Sequence, residues 1–445
     1  MSVGFAQFQK ALRTMRSAAM QRGVVAILDV GTSKLACLIL RFDGAAVGTQ
    51  SDEVGSLAGH SGFRVIGAAT TRSRGVRFGE VESMNETERA IRTAVQAAQK
   101  MAGVRVDHLV ACLSGAYPRS YGVTGQTDVM SETVSQEDVG QVFASCDVPD
   151  FGAGRTVLHA QPVNFELDHK SGLQDPVGHR GETLTADLHM LTVEDTVIHN
   201  LAYCIRRCDM ELAGVAASPY VAALSSLVED EQELGAACID LGGGASSLSI
   251  FLKRHMIYAD SVRMGGDHVT SDISMGLQVP MATAERIKTF YGGVLATGMD
   301  DREMIDLDGN SGDWEHDRRQ VSRSDLIGII RPRIEEILES VRDRLDAAGF
   351  EQLPGRQIVL TGGGSQVPGI DGLATRILGQ NVRLGRPVRV QGLPQAATGP
   401  AFSAAVGLAL FTALPQDEWW DFDVPDQRTN GRTLRRAFEW FRNNW

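Results

Sequence analysis

This chain lacks a cationic excess, a long apolar run and paired cysteines. Its 445 residues carry a formal charge of −12, a balance that gives no attraction for nucleic acid. No apolar run is long enough to span a bilayer. The N-terminus, MSVGFAQFQKALRTMR, is interrupted by Lys10, Arg13 and Arg16 and holds no signal-peptide core, so the body is expected in the cytosol. Only 6 cysteines occur, and no two of them form a CxxC pair. Cys37, Cys112 and Cys238 lie in apolar runs, where cysteine behaves as a small hydrophobe. Cys204 and Cys208 stand one helical turn apart near His199, too few ligands for a metal site. Buried, reduced thiols are the expectation.

What is present is enough for two or more domains, each with its own core. The apolar share of 43% and charged share of 22% are those of a soluble globular protein. Two segments look alike: GVVAILDVGTSKLACLIL (23–40) and GAACIDLGGGASSLSIFL (235–252). Each is an apolar run ending in Asp, then glycines with hydroxyls, then a second apolar run, which predicts a β-hairpin with a tight polar turn. A duplicated domain follows, with one hairpin per half. A third glycine-rich segment, RQIVLTGGGSQVPGI (356–370), predicts a strand, a loop and a helix start. Helical spacing appears in 86–103 (Ile91, Val95, Ala98) and in 322–349 (Leu326, Ile330, Ile334, Ile337, Leu338, Val341, Leu345), with a turn or kink expected at Pro332. Between 107 and 190 the pattern changes to short strands, beginning with VDHLVACLSG, as in an α+β insertion. Residues 299–320 form a polar loop whose DxDGN lacks the glycine placement and closing Glu of a calcium site. Residues 414–430, acidic and holding Pro415 and Pro425, look like a linker.

The glycine loops point to phosphate. Closely approaching backbone N–H groups need loops poor in side chains, and hydroxyls and a lysine add donors. Asp29, Gly31, Thr32, Ser33 and Lys34 supply that set in the first loop; Asp240, Gly242, Gly243, Gly244 and Ser246 supply it in the second. The two aspartates at strand ends suit Mg²⁺ held through water. Gly362, Gly363 and Gly364 are left for the nucleoside. One such loop alone reads as an ordinary tight turn; three, two of them in matched hairpins, read as a nucleotide cleft.

On these motifs the chain resembles the actin/Hsp70/sugar-kinase superfamily, and more closely the FtsA family of bacterial cell-division proteins, over roughly residues 23–413. DVGTSK and DLGGGAS resemble the two phosphate motifs, and LTGGGSQVPGI the adenosine motif. MGGDHVTSDIS (264–274) and AERIKTFYG (284–292) are similar to the segments that reach ribose and adenine, which implies nucleoside contacts for Gly265, Gly266, Glu285 and Lys288. SRGVRFGEV (73–81) and DPVGHRGETL (175–184) also resemble family segments. The implied fold is α/β: duplicated actin-like, ribonuclease H-like domains around a nucleotide cleft, with an inserted α+β subdomain (1C) and a C-terminal amphipathic helix. The implied division is an N-terminal extension (1–21), a first core (22–106 and 191–235), subdomain 1C (107–190), a second core (236–262 and 350–413), subdomain 2B (263–349), a linker (414–430) and a tail helix (431–445). The implied cofactors are ATP and Mg²⁺. The implied partners are FtsZ, further copies of this chain, anionic membrane lipids and later division proteins, at the cytoplasmic face of the inner membrane. FtsZ would dock within 263–349.

Two positions depart from the family pattern. Ala245 stands where threonine is usual after the glycines, and Ser218, in VAASPYVAAL, where a Glu is common. Losing a hydroxyl and a carboxylate near the γ-phosphate removes groups that hold Mg²⁺ or orient water, so binding with slow or absent hydrolysis is expected. No catalytic residue is assigned.

The last residues, RTLRRAFEWFRNNW, carry their own pattern. At ~100° per residue Leu434, Phe438, Phe441 and Trp445 share one face, with Arg432, Arg435, Arg436 and Arg442 opposite or flanking and Trp440 beside the stripe. So short a helix is marginal in water. Against an anionic bilayer each large side chain gains ~1.5–3 kcal/mol if buried and each Arg ~1 kcal/mol, giving weak, reversible anchoring in the interface plane. The N-terminal stripe of Phe5, Phe8, Leu12 and Met15 allows a second contact helix; a frayed extension, or one resting on the body, is the expectation. A pilus-assembly ATP-binding protein, which shares 1C but lacks the amphipathic end, and a small-molecule kinase of the sugar-kinase type are the rival readings.

Overall fold

The computed structural model describes residues 4–42, 62–307 and 319–424. Two five-stranded sheets carry the fold, and they are built to one plan. In the first, the strands run in the order Glu211–Ala217, His108–Leu113, Val24–Val30, Lys34–Phe42, Phe63–Arg72. In the second, the order is His255–Val262, Ser246–Leu252, Ala236–Leu241, Gln357–Thr361, Val382–Leu384. Each has an antiparallel hairpin, a third antiparallel strand on its outer side, and two parallel strands on the inner side.

The hairpins form because their strands are buried on both faces. Val25 to Val30 are all buried, as are Leu35 to Leu40 and Ser246 to Phe251, so continuous burial replaces alternation, with Asp29, Ser246, Ser247 and Ser249 as buried polar residues within it. The registers place the turns at Gly31–Ser33, closed by Val30 opposite Leu35, and at Gly242–Ala245, closed by Leu241 opposite Ser246.

The helix Met84–Ala102 buries Ile91, Val95 and Ala98 and ends on Gly103, whose φ of 67° suits a left-handed C-cap. The helix Arg323–Ala347 is capped by the Ser322 side chain and buries the predicted stripe from Leu326 to Leu345. It continues through Pro332, so no turn interrupts it there.

Two segments fall outside the places the sequence suggested. The strand His108–Leu113 pairs in parallel with Val24–Val30, Ala26 opposite Leu109, and so sits inside the first sheet rather than in the insertion. Its ladder partners lie 83 residues upstream, Ala26 opposite Leu109 through Val30 opposite Leu113, beyond the reach of local patterning. The helix Ser403–Ala413, assigned to the second core by position, returns to the first: Ala404, Ala405 and Leu408 join the core formed by Ile27, Ile39 and Leu109. Gly407 makes that return possible, since a Cβ there would lie 1.6 Å from the carbonyl oxygen of Val221 in the crossing helix Ser218–Ser226.

The insertion is a four-stranded antiparallel sheet (Arg119–Asp128, Thr183–Glu194, Arg155–Leu167, Lys170–Leu173) with one helix, Gln136–Ala144. Ser135 and Asp138 cap that helix reciprocally. Its core holds Val139, Phe143, Leu188 and Met190 and takes in Trp420 from the far end of the described chain. The N-terminal residues form a helix, Gly4–Gln21, whose Phe8, Leu12 and Ala19 are buried in the first core. All six cysteines are buried thiols. Residues 308–318, which include most of the DxDGN stretch, and the linker end and tail from 425 onward lie outside the described residues. So do all the predicted membrane contacts, Leu434, Arg435, Arg436, Phe438, Trp440, Phe441, Arg442 and Trp445. Among the described residues no helix is long and apolar enough to cross a membrane.

Candidate nucleotide cleft

The two matched turns meet. An open cleft of about 360 Å³ lies between the sheets, lined by the first turn, the second turn and the third glycine loop together. This is the size of a small-ligand site. Asp29, Gly31, Thr32, Ser33 and Lys34 face it from one side, and Asp240, Gly242, Gly243 and Ser246 from the other. Gly265, Gly266, Glu285, Lys288, Gly362, Gly363 and Gly364 complete the wall. Gly244 is the one predicted residue outside the lining; it packs on Thr32 instead, whose hydroxyl would be 2.5 Å from an added Cβ.

The glycines are explained by what they touch. A Cβ on Gly243 would fall 1.8 Å from Ser33 Oγ, so the hydroxyls of the first turn occupy the space that side chains would need on the second. A Cβ on Gly265 would lie 2.5 Å from the carbonyl oxygens of Gly242 and Gly243. That approach lets Gly266 and Asp267 donate their backbone N–H groups to those carbonyls at 2.9 and 2.8 Å. Gly362, with φ of 85°, would bring a Cβ to 2.1 Å from Asp240 Oδ1. All three loops thus converge on the tip of the second hairpin. Ser33 Oγ also donates to Asp267 Oδ1 at 3.1 Å, a bond from one half to the other.

The electrostatics of the cleft are set by burial of charged groups that face one another. Burial raises the Asp29 carboxyl above its ordinary value, opposed by the Cys112 thiol, which donates to Asp29 Oδ1 at 3.1 Å, and by Lys34. Burial, then the charge of Asp29, pushes Asp240 up to about 7, against Lys34 and a hydrogen bond from Ser218. Burial lowers Lys34, opposed by the two aspartates, and its ammonium sits 3.5 Å from the Phe402 ring centroid. Two buried carboxylates at strand ends, aimed at one cavity, suit a hard cation.

At the nucleoside end, Lys288 Nζ bonds Glu285 at 2.6 Å, Thr270 Oγ1 at 2.7 Å and the Gly266 carbonyl at 3.0 Å. Burial would raise the Glu285 carboxyl, but hydrogen bonds from Lys288 and Thr270 outweigh it and hold it below its ordinary value. Ile334, Ile337 and Leu338 of the long helix supply an apolar wall.

Some of the geometry was not visible in the sequence. Ser246 lines the cleft, yet its hydroxyl donates to the Met264 carbonyl at 2.7 Å. Ser114, Asp267, Pro400 and Ala401 also line the cavity. Asp267 stood within a quoted motif; Pro400 and Ala401 come from a turn with no motif of its own.

Comparison with known proteins assigns the family. Residues 237–407 match the family "Cell division protein FtsA", and residues 115–192 match the "SHS2 domain inserted in FTSA". The chain is 39% identical over 395 residues to the "Cell division protein FtsA" of Agrobacterium fabrum, covering 89% of this chain and 88% of that protein. The chain belongs to the FtsA family. The Pseudomonas aeruginosa relative of the same name is 30% identical over 434 residues, covering 96% of this chain and all of that protein (100%). The Escherichia coli relative is 28% identical, covering 88% and 90%.

Among solved structures, a PilM–PilN type IV pilus biogenesis complex is similar with a TM-score of 0.58 at 17% identity, covering 88% of this chain and 99% of that chain. MreB5 of Spiroplasma citri bound to ADP is similar with a TM-score of 0.50 at 14% identity, covering 88% and 96%. These likenesses are of fold. The chain is a cell-division protein of the FtsA family with an actin-like α/β fold and an inserted SHS2 domain.

Proposed function

We propose that this chain binds ATP in the cleft and, as an actin-like adaptor, ties FtsZ to the cytoplasmic face of the inner membrane at the division site. The observation that carries the reading is the meeting of the two turns, with Ser33 Oγ filling the space above Gly243. Loops in contact across a cavity present backbone N–H groups to one phosphate chain from both sides. Asp29 and Asp240 would hold Mg²⁺ through water, which would favour their ionised forms. Glu285 and Lys288 would meet the nucleoside.

Nucleotide acts here by joining the halves and favouring a shape in which copies associate. Turnover is slow or absent: Ser218 places a hydroxyl, already engaged with Asp240, where a carboxylate would be needed to orient water. FtsZ docks on the stretch 263–349, where Met275, Met281, Phe290, Leu295, Met299 and Met304 are exposed apolar side chains among the described residues. Residues 431–445 fold as an amphipathic helix on anionic lipid, and association of several copies multiplies that weak anchor. Later division proteins are recruited to the same assembly.

The test is co-sedimentation of FtsZ with anionic liposomes, run with the full chain and with residues 431–445 deleted. The expected result is FtsZ in the pellet with the full chain alone. FtsZ in the pellet with both chains, or with neither, overturns the adaptor reading.

A further inference from the structure

The acidic segment after the last core helix reads as a linker in the sequence, yet its described part is bound to the body by buried side chains. Gln416 accepts from the Tyr220 hydroxyl at 3.0 Å and donates to the Arg254 carbonyl at 3.0 Å. Glu418 is only 4% exposed. One of its oxygens meets His159 Nδ1 at 2.8 Å and the other accepts the Ala160 N–H at 2.9 Å. His159 Nε2 accepts the Ala217 N–H at 3.0 Å. That bond fixes the ring's tautomer and makes Nδ1 the donor to Glu418. Trp420 is buried in the insertion's core, and Phe422 stands edge-on to Phe143 at 4.7 Å between ring centroids.

The N-terminal helix closes this seat from the outside. Arg13 pairs with Asp417 at 3.3 Å and with Asp421. Gln9 donates to the carbonyls of Val157 and Leu158, both at 3.3 Å, in the insertion strand that carries His159. Arg16, buried against the Phe411 ring at 4.7 Å, adds a cation near Glu418. One helix therefore holds both the insertion and the segment laid across it. A carboxylate buried this deeply needs such a set of hydrogen-bond donors.

We propose that the N-terminal helix is a clamp that locks residues 415–424 as a strap onto the inserted domain, and so fixes where the C-terminal end leaves the body. Releasing the strap frees ten residues, which lengthens the free tether by up to about 35 Å. The consequence for membrane reach rests on the tail reading above; the clamp itself does not.

Hydrogen exchange of the full chain in solution, without lipid, tests the clamp apart from the tail. R13E puts a carboxylate against Asp417 and Asp421. It should speed exchange of the 416–424 amides at least threefold, leave the cleft peptides unchanged, and be reversed by adding D417R and D421R. By reciprocity, W420A should speed exchange within residues 6–14 of the N-terminal helix. Unchanged strap protection in R13E, no effect of W420A on the helix, or a uniform rise across the whole chain would overturn the proposal.

Discussion

The two hairpins of the cleft share a backbone and divide the chemistry. The first turn is rich in side chains: Thr32, Ser33 and Lys34 follow a single glycine. The second is bare, Gly242 to Ala245, and its surface is peptide N–H and C=O. The difference is one of fit, because the hydroxyls of the first occupy the space the second leaves empty. Their aspartates differ as well. Asp29 receives a thiol hydrogen bond and is 7% exposed, whereas Asp240 faces Asp29 and Lys34 and is bonded by Ser218. Two tips on one backbone plan thus carry unlike chemistry.

That asymmetry can be broken most severely at Gly243. A valine there collides with Ser33, and overpacking of this kind should weaken ATP binding roughly tenfold to a hundredfold. Gly243→Ala should lose less, and a second change, Ser33→Gly, should recover part of that loss in an equilibrium titration. No recovery would mean that the two turns do not share the space.

The aspartates offer the next test. Asp240 is pushed up to about 7 by burial in the folded chain, while an unfolded aspartate titrates near ~4. The native state therefore binds the extra proton between those values. The stability this group contributes is complete below ~4 and is lost as pH rises through about 7. Without nucleotide, Asp240→Asn should remove most of that decline and melt roughly 2–6 °C higher than wild type at pH 8. With Mg²⁺ and ATP present the order should reverse. Identical melting profiles for the two proteins would contradict the placement of Asp240.

Smaller effects sharpen the nucleoside end. Lys288→Ala frees Glu285 and should weaken ATP binding about threefold to tenfold, with inorganic triphosphate unaffected. An equal loss for both ligands would move Lys288 to the phosphates. Smallest is Ser218→Ala, which removes one hydrogen bond to Asp240. The cost should be about 0.5–1.5 kcal/mol in the Mg²⁺-bound complex, seen as a modest drop in affinity with turnover still low.

Local features were legible in the sequence and long-range ones were not. The hairpins could be read because strand, turn and strand lie within eighteen residues and the turn chemistry is contiguous. The strand His108–Leu113 was misplaced because its apolar run is the same in an insertion as in a sheet; only the ladder to Ala26 and Val30 distinguishes them. The return of Ser403–Ala413 to the first core depends on Gly407, one glycine among many until the helix that crosses it is known. Glu418 fell within a stretch read as a linker because its partners, His159 and Ala160, are more than 250 positions away. Glycines at the cleft were visible as a motif; what each must avoid touching was not.

The most direct measurement is hydrogen exchange at residues 30–34 and 241–246, with and without Mg²⁺ and ATP. If both tips grip one phosphate chain, both segments gain protection together and at the same nucleotide concentration. Protection of one segment alone, or of neither while ATP is demonstrably bound, would contradict the account.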